Sequence, residues 1–479
     1  MRRIAAATAI AVAALGAPSA TAAPVDLLAQ GGATGDAAGF SVAVAGDVNG
    51  DRRRDLVIGA PQPRSLPGCP GPGAAYVVFG ADRRQTVDLG DPGAAGFVIR
   101  GEPGSGLGRS VDGAGDVNGD GLADVVVGAP NASPRGRTSA GSAFVVLGKR
   151  TRDPVDVGTP GDWGYRIDGA EAMSDCEPGG NAGHGVTGLG DVTGDGAPDL
   201  AVAAPLSTFR GRRYGGAVHI LHGGGLRDVD LAEPAMGGIV GGGANGVSAS
   251  MAGDVDGDGT SDVAIADSDA SPLNRLAAGA VYVISGGASG DVVDLAEPPK
   301  DSMGVAGAEG TSGFPGAANP DALGVTHTAL GDWDRDGRDD LAIAALGAGA
   351  KDRGATYVVF GRPFGTTVDT SRGGRSIVTV KDASAVLGTA DVRGDRRREL
   401  LVRKGRRLVV VGPRRARRTS ARVVPGVRLP AEAAHVTLVV VGGARRREAW
   451  LLRGAPTRDP LGRPDAGTVV LNRIRLPGR

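Results

Sequence analysis

One nine-residue acidic pattern occurs five times in this chain. It reads DVNGDRRRD from Asp47, DVNGDGLAD from Asp116, DVTGDGAPD from Asp191, DVDGDGTSD from Asp254 and DWDRDGRDD from Asp332. Each copy places a carboxylate at positions 1, 5 and 9, and Asn, Asp or Thr at position 3. Alternate positions of a tight turn deliver oxygen atoms to one point. Calcium takes roughly six to eight hard oxygen ligands on such a flexible loop. An ordinary Asp-Gly turn needs no carboxylate at position 9, and all five copies have one. About five calcium sites are therefore expected. The first uses Asp47, Asn49, Asp51 and Asp55 with the carbonyl of Arg53, and the second Asp116, Asn118, Asp120, Leu122 and Asp124. The third uses Asp191, Thr193, Asp195, Ala197 and Asp199, with Thr193 a neutral and weaker ligand. The fourth uses Asp254, Asp256, Asp258, Thr260 and Asp262, and the fifth Asp332, Asp334, Asp336, Arg338 and Asp340.

A longer unit recurs around each loop. An apolar segment enters it (FSVAVAGD, SASMAGD) and a second leaves it (DLVIGAP, DVVVGAP). A third follows (AYVVFG, AFVVLG), and a looser fourth closes the unit, as in FVIRG after Gly96. These segments are short, rich in Val and Ile, and bounded by Gly, Pro or Asp, which is how strands read. No long 3.6-residue apolar period follows the first residues, so no helix is expected there. The first loop aspartates are 69, 75, 63 and 78 residues apart. Four short strands at that period argue for propeller blades.

Two worn units follow. DVRGDRRRE from Asp391 keeps the loop outline, but Arg393 stands at position 3, where a guanidinium cannot bind a cation. In the last unit HVTLVVVGG and EAWLLRGAP flank a lost loop, and TVVLNRI is the third strand. The expected fold is all-β, a seven-bladed propeller of four-stranded antiparallel blades. Residues 24 to 32, beginning PVDLLAQGG, would supply the missing strand of the seventh blade. Such closure removes free sheet edges.

The unit resembles the FG-GAP repeat of integrin alpha-subunit propellers. Gly39-Phe40 stands at the FG position, and Gly59-Ala60-Pro61, Gly128-Ala129-Pro130 and Gly454-Ala455-Pro456 keep the GAP; Ala203-Ala204-Pro205 is a near match. The resemblance implies that the calcium loops lie on one face and that the two-three and four-one loops form a ligand-binding face opposite. The chain departs from that family in carrying its intact loops in units one to five, and in having no legs, membrane helix or second subunit. The topology also implies that Cys69 and Cys176, in loops of the same face, meet as a disulfide, the alternative being two unpaired thiols. Arg393-Gly394-Asp395 spells an adhesion tripeptide but reads as a relic of the sixth loop.

Residues 1 to 23 read as a signal peptide. Arg2 and Arg3 are its basic start, Ile4 to Gly16 its apolar run and Ala20-Thr21-Ala22 its cleavage site. Residues 24 to 479 are then the propeller of a secreted protein without a membrane span. Residues 372 to 479 carry 24 Arg and 2 Lys against 8 Asp or Glu, a net of +18. The whole chain has no net charge, so residues 1 to 371 carry −18. The basic part would attract anionic polymers, but it lacks the aromatic platform that nucleic acid needs.

No catalytic constellation is evident. His219 and His222 are three apart on one strand and so point to opposite faces, and there is no zinc motif, nucleophile elbow or phosphate loop. The expected function is an extracellular, monomeric protein-interaction or adhesion module with structural calcium. Its binding surface would be the long loops Gln62 to Gly73, Ala170 to Gly183 and Lys300 to Asp321. Two alternatives stay open. A lectin-like binder of cell-surface polysaccharide would depend on Trp163 and Trp333 for sugar stacking, and a hydrolase would need a site on the central channel.

Overall fold

A computed structural model describes residues 27–30, 36–61, 71–81, 85–159, 161–174, 179–225, 227–233, 239–241, 247–287, 292–308, 322–348, 353–390, 398–414, 418–428, 436–439, 448–455 and 468–475. Their strands form seven sheets, each built on an antiparallel run of four. The first contains Ser41–Gly46, Asp55–Ala60, Ala74–Val78 and Gly96–Arg100. The second contains Ser110–Gly115, Asp124–Ala129, Ser142–Val146 and Gly164–Asp168. The third contains Gly185–Gly190, Asp199–Ala204, Ala217–Leu221 and Ile239–Gly241. The fourth contains Val247–Gly253, Asp262–Asp267, Ala280–Ile284 and Ser302–Ala306. The fifth contains Leu323–Gly331, Asp340–Ala345, Ala355–Val359 and Ile377–Lys381, and the sixth Ala385–Ala390, Glu399–Lys404, Arg407–Arg414 and Arg418–Arg428. Among the described residues helix is confined to three 3-10 turns, at Gly93–Ala95, Pro134–Gly136 and Pro272–Asn274.

The seventh sheet joins the two ends of the chain. Val436–Val439, Glu448–Ala455 and Thr468–Arg475 are its first three strands, and Leu27–Gln30 is the fourth. Leu27 lies opposite Leu471 and Gln30 opposite Thr468, antiparallel. The first strand of each sheet lies against the first strand of the next, and that of the seventh lies against that of the first.

Sheets one to four and seven carry one strand more than expected. A short Val-Asp segment of a neighbouring unit pairs in parallel with the outer strand: Gln85–Asp88 on the seventh sheet, Val155–Asp156 on the first, Val229–Asp230 on the second, Val292–Asp294 on the third and Thr366–Asp369 on the fourth. Arginines of the two-three loop fasten it on three sheets. Arg137 reaches Asp230 at 2.8 Å, Arg212 pairs with Asp294, and Arg275 grips Asp369 through both of its terminal nitrogens at 2.8 Å. That fork is the strong geometry for a guanidinium and a carboxylate. With help from Ser371 it holds Asp369 well below the usual carboxylate range.

The second strands are buried along their whole length in sheets one to five. They are covered on both faces by neighbouring sheets, so they read as continuous apolar runs rather than alternating ones. One core cluster joins Val57, Val77 and Phe97 of the first sheet to Val111, Val125 and Phe144 of the second. The glycine of the GAP triplet is fixed by this close packing. A Cβ on Gly59 would meet the carbonyl oxygen of Gly108 at 2.1 Å, and one on Gly128 that of Gly183 at 1.9 Å. The hydroxyls of Ser41 and Ser110 donate to the same two carbonyls, each at 2.9 Å.

Candidate metal centres

The acidic loops join the first and second strands of sheets one to five, and a bulge just before each loop starts the turn. Its register shifts fall between Val44 and Gly46, Gly113 and Gly115, Gly188 and Gly190, Met251 and Gly253, and Ala329 and Gly331. Gly46 has φ +90°, the left-handed conformation this kind of bulge requires.

Within the loops the side-chain oxygens fold inward onto their own backbone. In the first, Asp47 Oδ1 accepts from the Gly50 and Asp51 amides at 2.7 and 2.9 Å, and Oδ2 from Arg52 at 2.7 Å. Asn49 Oδ1 accepts from Asp51, and Asp51 Oδ1 from Arg53. The second loop repeats this through Asp116, Asn118 and Asp120, the last accepting from Leu122. In the third, Asp191 accepts from Gly194, Asp195 and Gly196, and Asp195 from Ala197. In the fourth, Asp254 accepts from Gly257 and Gly259, Asp256 from Asp258, and Asp258 from Thr260. In the fifth, Asp332 accepts from Asp336 and Gly337, and Asp336 from Arg338.

Oxygen atoms of Asp254, Asp256 and Asp262 lie within 4.8 Å of one another, as do those of Asp332, Asp334 and Asp336. At position 3 of the third loop, the buried Thr193 Oγ1 has no hydrogen-bond partner. These are hard oxygens converging on a flexible turn, so the donor set fits calcium.

Position 9 has a second task that its sequence pattern does not reveal. Asp55, Asp124, Asp199, Asp262 and Asp340 are all fully buried. In each, Oδ2 accepts from the amide at position 2: Val48, Val117, Val192, Val255 or Trp333. Oδ1 accepts from a glycine just past the third strand: Gly80, Gly148, Gly223, Gly286 or Gly361. The carboxylate therefore ties the loop to its sheet whether or not a cation is bound. The sixth sheet carries a fully buried Glu399 at this position. Burial, with neighbouring carboxylates adding to it, pushes Asp55, Asp262 and Asp340 up to about 7 and Asp124 to about 6.

At the opposite end of the same strands, residues of three consecutive units meet. Phe40, Arg109 and His184 each immediately precede a first strand, and Pro61, Pro130 and Pro205 each follow a second. The Arg109 guanidinium lies 4.6 Å from the Phe40 ring centroid, and its Nη2 is 3.2 Å from His184 Nε2. They line a cavity of about 430 Å3.

Other expected residues fall elsewhere. Trp333 is buried at position 2 of its loop and donates to the Arg398 carbonyl at 2.8 Å. Trp163 packs against Phe144 and donates to the Thr159 carbonyl. The buried Trp333 offers no free face for a sugar ring. His219 is buried and His222 half-buried on the third sheet. Cys69, Cys176, Arg393 to Asp395, residues 1 to 26 and most of the loops 62–73 and 300–321 lie outside the described residues. No described helix is long and apolar enough to cross a membrane.

Comparison with known proteins agrees with this geometry. The FG-GAP repeat model matches residues 38–78, 107–146 and 182–221, the first three units, each with its acidic loop. Integrin alpha pat-2 of Caenorhabditis elegans is 30% identical over 242 residues, covering 48% of this chain and 18% of that protein. Integrin alpha-PS2 of Drosophila melanogaster is 31% identical over 204 residues, 41% of this chain and 12% of that one. A phosphatidylinositol-glycan-specific phospholipase D of Bos taurus is 36% identical over 109 residues, 22% of this chain and 12% of the enzyme. The chain thus spans less than a fifth of the length of each of these three relatives. With three matched repeats and two integrin alpha relatives, the chain carries FG-GAP repeats and is similar to integrin alpha subunits.

Proposed function

We propose that the chain is a secreted, calcium-stabilised propeller of seven blades that presents one face to an extracellular protein. The observation that carries this reading is the separation of two ends of the same strands. The oxygen-rich loops gather at one end, and the junction of units around Arg109 lies at the other. The ring of neighbouring first strands and the pairing of Leu27–Gln30 with Thr468–Arg475 support a closed ring of blades.

Calcium would be held at positions 1, 3 and 5 of loops one to five, with the position-7 carbonyl and the position-9 carboxylate completing each set. Its contribution is charge: a divalent cation offsets crowded carboxylates that burial would otherwise protonate. The protein's own residues do the rest. Position 9 fastens the loop to the third strand, and the inward-folded carboxylates preorganise the turn. Because an ion that binds only the native state adds stability by mass action, calcium is structural in this scheme. A catalytic role is disfavoured, since these carboxylates are committed to the loops. The phospholipase likeness covers 12% of that enzyme and carries no activity to this chain.

The test is calcium content together with the melting curve. The purified chain should hold about five calcium ions and lose many degrees of melting temperature in excess EDTA. An unchanged curve would sink the calcium reading. Capture of cell-envelope proteins by the immobilised chain, with and without EDTA, tests the interaction reading; polysaccharide retained without protein would replace it with a lectin.

A further inference from the structure

The cavity between the first three units contains a charge that no described residue answers. Arg109 is half-buried, and among the described residues it forms no ion pair with a carboxylate. Its described contacts are the face of Phe40 and Nε2 of His184. A guanidinium only donates hydrogen bonds, so His184 accepts through Nε2 and is neutral. Burial, and after it the neighbouring guanidinium, lowers the His184 pKa to about 4. Desolvation also lowers that of Arg109. Among the described residues the lining contains no Asp or Glu. A desolvated cation without a counter-charge is costly, and the two strong donors of its fork suit a planar carboxylate.

The rest of the lining sets the kind of molecule that would bring the carboxylate. Pro61, Pro130 and Pro205 supply apolar walls, and Asn131 and Asn181 supply carboxamides. Asn181 is held in place by donating to the Pro130 carbonyl at 2.7 Å. The volume exceeds that of one small ion and lies within the range of side-chain and small-ligand pockets. Phe40 is the aromatic ring of the lining, and the Arg109 guanidinium lies over it. That arrangement favours an aliphatic stem over a stacked sugar ring.

We propose that this cavity is an acidic side-chain pocket: Arg109, backed by Phe40 and His184, takes the carboxylate of a Glu or Asp from a protein partner while the prolines pack on its methylenes. The proposal rests on the reading of this face as an interaction surface and names the chemistry of its ligand.

The test is calorimetric titration of the calcium-loaded chain at low salt with N-acetyl-glutamyl amide, N-acetyl-glutaminyl amide and methyl glucuronide. The glutamyl probe should bind at least about tenfold more tightly than its glutaminyl twin, because only the first satisfies the guanidinium. Arg109→Gln should remove that preference without moving the melting temperature. Should Arg109→Gln fail to fold, Arg109→Lys keeps the charge, loses the fork and should weaken the glutamyl probe several-fold. Equal binding of the two amides, or a preference unchanged in the folded variant, overturns the proposal. Binding of the glucuronide alone also overturns it, by moving the carboxylate onto a glycan. A folded, calcium-loaded chain that ignores the glutamyl probe sinks only this pocket; a chain without calcium sinks the calcium reading and leaves the titration interpretable.

Discussion

The second, third and fourth sheets differ from the sixth in two ways. Each of the three has a strapped outer edge: a parallel Val-Asp strand held by an arginine of the two-three loop. Each also has an acidic loop with oxygen at positions 1, 3, 5 and 9. The sixth sheet ends at Arg418–Arg428 with no fifth strand among the described residues, and its sequence has Arg393 at position 3. Yet both kinds keep a fully buried carboxylate at position 9. The comparison separates two functions that the acidic pattern combines. The sixth unit differs in its loop at position 3 alone, since Asp391 and Asp395 keep positions 1 and 5, and the fifth sheet has the full acidic pattern with no fifth strand among the described residues, so the loop and the strap vary independently. Position 9 fastens the loop in sheets one to five, and the sixth sheet keeps a buried carboxylate there.

Calcium removal should break this comparison most visibly. With free calcium at about a hundred times its dissociation constant, each site adds roughly 2.7 kcal/mol, so five sites dominate every other term. Hydrogen exchange after chelation should rise in loops one to five and stay unchanged at residues 399 to 411. Equal acceleration in both would mean that the sixth sheet shares the dependence.

Next in size is Asp124→Ala. It strands the buried amides of Val117 and Gly148, each unsatisfied group costing about 1 to 3 kcal/mol. Denaturant unfolding in EDTA should still show a loss of about 2 to 5 kcal/mol, because the fastener acts without the ion. A loss confined to calcium-loaded protein would return position 9 to a ligand role alone.

Acid should act on the third and fifth sheets. His219 and His327 are buried, and burial lowers both from 6.5 to about 4. The unfolded chain therefore binds more protons between those values. Stability is intact above about pH 6.5 and falls toward pH 4, by on the order of 3 kcal/mol per histidine. Asp112 works the other way: burial raises it to about 7, so its contribution is present below pH 3.8 and fades as pH rises through 7. His219→Gln should flatten the acid limb of a stability-against-pH curve, and an unchanged slope would remove this histidine from the account.

A smaller effect is expected for Arg275→Ala, which releases Asp369 from a partly exposed fork. A loss of about 1 kcal/mol is expected, with faster exchange of Thr366–Asp369. The smallest should be Thr193→Asp, which gives the third loop the charge it lacks. Its calcium affinity should rise, as read by titration, with a small gain in melting temperature at saturating calcium.

Much of this was legible in the sequence, because the repeat aligns each position with its counterparts. The strands, the loop positions and the partnership of the N-terminal segment with the last strand all follow from alternation and from counting. The Val-Asp straps did not. They are two to four residues long, too short for alternation, and their partner belongs to the preceding unit. The fastening role of position 9 also stayed hidden, since its second acceptor contact lies more than twenty residues away, at Gly80 or Gly148. Trp333 was readable but misjudged as a sugar platform. It occupies the position of Val48, Val117, Val192 and Val255, all buried, so the repeat itself marked it as core.

The seventh sheet has a consequence for biogenesis. Leu27–Gln30 and Thr468–Arg475 are more than four hundred residues apart in sequence, yet they pair edge to edge. In a chain made from its N-terminus, the earlier strand has no such neighbour until the later one has been made. Pairings of such high contact order form slowly, and an unpaired edge is open to misassembly meanwhile. Completion of that one sheet would then be the slow step that distinguishes a finished molecule from an open intermediate.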